Sequence, residues 1–179
     1  MVTAAMLAAA AFLLMATIQV PVLPQAPFLR YDPSDAVALL GGVVFGPAVG
    51  VAIVLIKDIL FMIFRASSPF GPVADFVAAS TFVATTAWVY RRQSGASPRR
   101  LLLAAIIGAT ARVLIMIPTN FLILHLEFGM PAGRIAGMLL PAIIPFNAIK
   151  ALVNAIIALA LAEPFERYVL PGAAASGDR

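Results

Sequence analysis

The chain contains no cysteine and a single histidine, His125. Disulfides, thiolate chemistry and cysteine-ligated metal sites are therefore excluded. A metal site would have to be assembled from scattered carboxylates, and neither a Gly-rich phosphate loop nor a nucleophile elbow is present. The sequence therefore reads as a non-enzyme with no metal and no bound cofactor. Charge is scarce as well. Only 11% of the 179 residues are Asp, Glu, Lys or Arg, against 63% hydrophobic residues and a mean hydropathy of +1.03, which excludes a soluble domain. No Lys or Arg precedes the first apolar run and no small-x-small site precedes Pro21, so this run is expected to remain as a helix and not to be cleaved as a signal peptide.

What is present is a succession of apolar segments. The length suits one domain, residues 1–179, with about six helical spans and short loops. The expected fold is all-α, a compact bundle of six transmembrane helices at about 3–20, 35–46, 48–64, 74–91, 101–127 and 138–162. Pro21, Pro24 and Pro27 end the first helix and open a long loop to Asp35, and loops of that length are often functional lids. Ser34 or Asp35 is suited to cap the second helix, which breaks at Gly46-Pro47 after about half a bilayer. Pro118 should kink the fifth helix, and Pro141 and Pro145 stand near the start of the sixth.

Arg91, Arg92, Arg99 and Arg100 surround one short loop that holds no acid. The positive-inside rule makes that loop cytoplasmic. Both termini are then cytoplasmic, and 21–34, 65–72 and 128–137 face outside. The net charge of +4 is accordingly a topology signal and not a nucleic-acid-binding one.

Against this apolar background the ionisable residues stand out. Lys150 lies deep in an apolar stretch, and Asn147, Lys150 and Asn154 at i, i+3 and i+7 share one helix face that suits a polar ligand. Asn120 follows the Pro118 kink, and its amide serves either a ligand or an interhelical hydrogen bond. Lys57 and Asp58 point about a hundred degrees apart on their helix and need not pair with each other. Arg112 is suited to pair with Asp58 or Asp75. In the first helix, Ala4 with Ala8 and Ala5 with Ala9 form overlapping small-x-x-x-small pairs, a flat strip for close helix approach.

Several of these segments together, Phe28-Leu29-Arg30-Tyr31-Asp32-Pro33-Ser34-Asp35, Phe45-Gly46-Pro47-Ala48-Val49-Gly50, Ile56-Lys57-Asp58-Ile59-Leu60 and Pro145-Phe146-Asn147-x-x-Lys150, closely resemble the riboflavin-specific S components of energy-coupling factor (ECF) transporters. The resemblance runs over nearly the whole chain. It implies a subunit in a prokaryotic plasma membrane that captures riboflavin from outside and delivers it to a transmembrane coupling subunit driven by two ATPase subunits. It further implies that Asn120, Asn147 and Lys150 hydrogen-bond the flavin ring beneath a loop bearing Phe28, Leu29, Tyr31 and Asp32. The strip of Ala4, Ala5, Ala8 and Ala9 would dock on the coupling protein. The ring's pyrimidine edge alternates acceptors with an N–H donor, which asparagine amides and an ammonium can match.

Two positions depart from the family's pattern: Asp75 and Asp58 each stand where an Asn is expected. They leave open a preference for another flavin or another vitamin. A self-sufficient secondary transporter or small channel, with Lys57, Asp58 and Arg112 as an ion path, and a purely structural membrane subunit are the readings from other classes.

Overall fold

The computed structural model describes residues 2–93 and 97–169. Among these residues it is all-helical apart from one pair of two-residue strands. The elements in chain order are α1 (Val2–Thr17), β1 (Val20–Pro21), β2 (Arg30–Tyr31), α2 (Ser34–Phe45), α3 (Pro47–Phe64), α4 (Phe70–Arg91), α5 (Pro98–Phe128), α6 (Ala132–Met138), a π-helical stretch (Leu139–Ile143) and α7 (Ile144–Val169). The middle of the arginine loop, 94–96, and the small-residue tail, 170–179, lie outside the described residues.

Among the described residues, four helical stretches are long and apolar enough to cross a bilayer: α3, α4, α5 and the run from Ala132 to Ala162. The chain is thus a multi-pass membrane protein, with α1 and α2 as shorter apolar helices packed into the bundle. Large apolar side chains such as Ile63, Leu103, Ile107, Leu114 and Ile156 are exposed on the bundle's outside, where hydrocarbon replaces water as the solvent.

Several boundaries differ from the sequence reading. The first helix stops at Thr17, because Val20 and Pro21 pair antiparallel with Tyr31 and Arg30 and fold the following loop back over the bundle. The fourth helix begins at Phe70, so the expected 65–72 loop is shorter. The expected 128–137 loop contains α6, which runs through the π stretch into α7. Pro141 lies in that stretch and has no N–H to give, which favours a local change of hydrogen-bond register. Pro118 is accommodated within one continuous α5 that ends at Gly129, whose φ of 62° forms a left-handed cap.

The Gly46-Pro47 break reverses the chain. Gly46 adopts φ 111°, which only glycine takes without strain, and Pro47 starts α3 where its missing N–H costs nothing. With 12 residues, α2 is about 18 Å long and reaches only part of the way through the bilayer. Its start is capped neither by Ser34 nor by Asp35. Asp32 Oδ1 accepts the Ser34 N–H (3.1 Å) and the Ser34 hydroxyl, while Asn154 Oδ1 from α7 accepts the Ala36 N–H (3.1 Å). These acceptors satisfy two of the orphan donors, at Ser34 and Ala36, of a helix end that is buried.

The main core gathers Ala8, Ala11, Leu39, Ile53, Phe82, Val83, Ala105 and Ala155 from α1, α2, α3, α4, α5 and α7. Small residues allow close approach here. A Cβ on Gly108 would overlap the Thr86 hydroxyl and lie 2.9 Å from the Phe82 carbonyl oxygen, so α4 and α5 touch backbone to side chain at that level.

Candidate functional site

The end of the bundle at which α2 starts collects the last turns of α1 and α3, the first turns of α4 and α7, the C-terminal half of α5 and the 19–32 loop. Between them lies a cavity of about 440 Å³, within the range of about 300–1,000 Å³ usual for small-molecule sites. Apolar walls come from Phe28, Leu29, Met116, Ile123, Phe128 and Phe146. Asn120, Asn147, Lys150, Asp32, Asp75 and Arg112 supply polar groups.

Each polar side chain is held by its neighbours. Asn120 donates one amide N–H to the Met116 carbonyl (2.8 Å) and Asn147 one to the Ile143 carbonyl (2.9 Å), both one turn back on their own helices. Asn147 Oδ1 accepts from Arg112 Nε (3.2 Å), and Arg112 Nη1 donates to Asp35 Oδ2 (2.7 Å). Lys150 Nζ donates to Asp32 Oδ2 (2.7 Å) and Asp75 Oδ1 (2.8 Å). The other oxygen of Asp75 accepts from Lys57 Nζ (2.5 Å), which also donates to Asp58 Oδ1 (3.1 Å) and stands 3.4 Å from Asp35 Oδ1 without hydrogen-bond alignment.

Three cations and four carboxylates thus form one connected network from five helices and the loop. Ions at such depth persist only when paired, because desolvation would otherwise cost several kcal/mol each. Asp32, in the loop, shows the balance: burial, the largest single influence, raises its pKa, but the Lys150 ammonium, its hydrogen bond and the charge of Lys57 together outweigh burial and leave the carboxyl below its ordinary range.

Of the residues singled out in the sequence, Asn120, Asn147, Lys150, Phe28, Leu29 and Asp32 line this one cavity. Tyr31 does not. Its hydroxyl is buried without a hydrogen-bond partner among the described residues. Asn154 shares the face of Lys150 but is taken up in capping α2 and in donating to the Asp32 carbonyl (3.2 Å). Arg112 pairs with Asp35 and not with Asp58 or Asp75, because Asp35 points inward from α2 instead of capping it. Lys57 and Asp58, which need not have paired, do so. The alanine strip divides: Ala8 belongs to the core, whereas Ala5 and Ala9, one position round the helix, are exposed. Asp75 and Arg112 as cavity-wall groups went unrecognised. The available signal was the near balance of acids and bases inside apolar segments, which implies mutual pairing.

Residues 1–162 match the family model for the substrate-specific component of ECF transporters. The chain belongs to this family. This S component is 32% identical to the riboflavin transporter RibU of Staphylococcus aureus (strain TCH60) over 168 residues, 90% of the chain and 87% of that protein. It is 27% identical to the riboflavin transporter FmnP of Bacillus subtilis (strain 168), over 88% of the chain and 86% of that protein. A solved structure of the S component of a bacterial ECF transporter superposes with a TM-score of 0.81 at 30% identity, covering 94% of this chain and 95% of the other. The fold of the S component is therefore that of its family, and the family's role is substrate binding within a transporter.

Proposed function

We propose that this S component binds riboflavin in the cavity and passes it to an ECF coupling module in a bacterial plasma membrane. The observation that carries the reading is the convergence of Asn120, Asn147 and Lys150, from α5 and α7, on one partly apolar cavity. Asn120 keeps its carbonyl oxygen and Asn147 its second amide N–H for a ligand, and Lys150 keeps one of its three N–H groups. Such a set matches the acceptor–donor–acceptor edge of an isoalloxazine ring, and the apolar wall suits its faces. The two riboflavin-transporter relatives support the same ligand.

The cavity lies at the end of α4 opposite Arg91, so the positive-inside rule turns it outward and puts both termini inside. The ATPase-driven coupling subunit would meet the exposed Ala5/Ala9 face of α1. Titrating flavin fluorescence with the purified protein tests the ligand: quenching that saturates supports riboflavin, and unchanged fluorescence refutes it. Orientation is tested separately. The chain has no cysteine, so a thiol introduced at Gln25 or at Ser97 is the only one. An impermeant reagent should label the first and spare the second in intact cells.

A further inference from the structure

Among the described residues, Asp75 is the one carboxylate paired with both of the buried lysines, Lys57 on α3 and Lys150 on α7, and it meets them from the cavity wall, with 11% of its side chain exposed. Asp58 also binds Lys57 but is not among the cavity-lining residues. The two carboxylates therefore share a partner and differ in whether they meet the ligand. The network they belong to holds Lys57, Arg112 and Lys150 against Asp32, Asp35, Asp58 and Asp75, one negative charge in excess with every group ionised. Arg30 and Arg65, both exposed, and the half-buried Glu127 also line the cavity.

We propose that Asp75 is a specificity-determining residue: by bridging Lys57 and Lys150 at the cavity wall it offsets the ammonium that faces the ligand, so the site accepts an uncharged ring and disfavours an anionic one. This inference rests on the riboflavin reading. A lone ammonium in a largely apolar cavity would attract any anion of suitable shape, including a flavin that has lost its N3 proton. With Asp32 and Asp75 on either side, Lys150 offers a directed N–H while the net charge near it is not positive. Hydrogen-bond matching and charge selection are thus separate tasks, and Asp75 performs the second.

The N3–H of bound riboflavin reports on this directly, because its ionisation changes the visible absorption of the ring. In the unmodified protein the bound ring should ionise at a higher pH than free riboflavin. Asp75→Asn keeps the size of the side chain and removes one negative charge from the cavity wall. It should lower the ionisation pH of the bound ring by about one unit or more, the size of shift that a nearby charge produces. Asp58→Asn removes the same charge from the same lysine away from the cavity, and should shift it by less than half as much.

Equal shifts in the two variants, or none in Asp75→Asn, would overturn the inference while leaving riboflavin binding intact. So would a bound ring in the unmodified protein that ionises below the free one, a measurement that needs no variant to fold. A chain that binds no flavin overturns the riboflavin reading and this inference with it.

Discussion

The cations deep within the cavity end of the bundle and those at its other end sit under opposite conditions. At the cavity end, Lys57, Lys150 and Arg112 are almost fully buried, and each is paired with at least one carboxylate. At the other end, Arg91 and Arg92 are exposed: Arg91 donates to the Val43 and Val44 carbonyls at the end of α2, and Arg92 stacks on Trp88, 4.2 Å from the ring centre. Burial makes the first set sensitive to any missing partner, because a lost charge leaves its counterion stranded in a poor solvent. Water and lipid headgroups compensate the second set. A single kind of substitution, removal of a cation, should therefore separate the ends by several kcal/mol.

Lys150→Ala is expected to have the largest effect. It strands Asp32 and leaves Asp75 with Lys57 as its remaining cation, and breaking a buried pair costs about 3–5 kcal/mol. Thermal unfolding in detergent should show that loss, and riboflavin quenching should weaken by more than about a hundredfold. Lys57→Ala, which deprives Asp58 and Asp75 of a partner, should match it in stability. A normal melting temperature for both would mean that the carboxylates accept protons or water at little cost, and the contrast between the ends would disappear.

Asn147→Ala comes next, because it removes a neutral group. Arg112 Nε loses its acceptor and the ligand one amide, and a buried polar group left unsatisfied costs about 1–3 kcal/mol. Binding should weaken about ten- to a hundredfold, since about 1.4 kcal/mol corresponds to tenfold. Wild-type affinity in the fluorescence titration would remove Asn147 from the site.

These expectations show which parts of the molecule the sequence made legible. The apolar runs, the Gly46-Pro47 break and the shared face of Asn147, Lys150 and Asn154 could be inferred, because hydropathy, proline chemistry and helix periodicity are local properties, whereas the joining of Asn120 to that face was implied by the family resemblance alone. The pairing of charges could not. Arg112 lies 77 residues from Asp35 and Lys150 lies 118 from Asp32, and only the packing of α2 between its neighbours brings those pairs together. The start of α2 was misjudged for the same reason. Ser34 and Asp35 look like caps in isolation, yet the acceptors that satisfy the helix are Asp32 and a side chain from α7. Similarly, a one-residue offset separates Ala8 in the core from Ala9 on the surface, and an alanine pattern alone does not fix the rotation of a helix.

That rotation supplies a third test, smaller in stability but specific in function. Ala8→Leu overfills the core beside α2 and α3 and should cost about 1–3 kcal/mol. Ala5→Leu with Ala9→Leu adds side chains to an exposed face, so melting and riboflavin affinity should stay unchanged while uptake with the coupling module falls. If uptake survives the double substitution, the exposed face of α1 is not the contact surface.

The smallest effect belongs to the far end. Arg92→Ala gives up its stacking on Trp88, worth about 0.5–1 kcal/mol at an exposed site. No carboxylate among the described residues is stranded by the change, and at physiological salt an exposed charge is screened within about 8 Å. Melting should therefore drop only slightly, and riboflavin affinity should be unaltered, because the residue lies at the opposite end of α4 from Asp75. A clear loss of affinity in Arg92→Ala would break the comparison at its base. It would mean that α4 transmits a disturbance from its last turn to the cavity, and that the two ends are energetically one site.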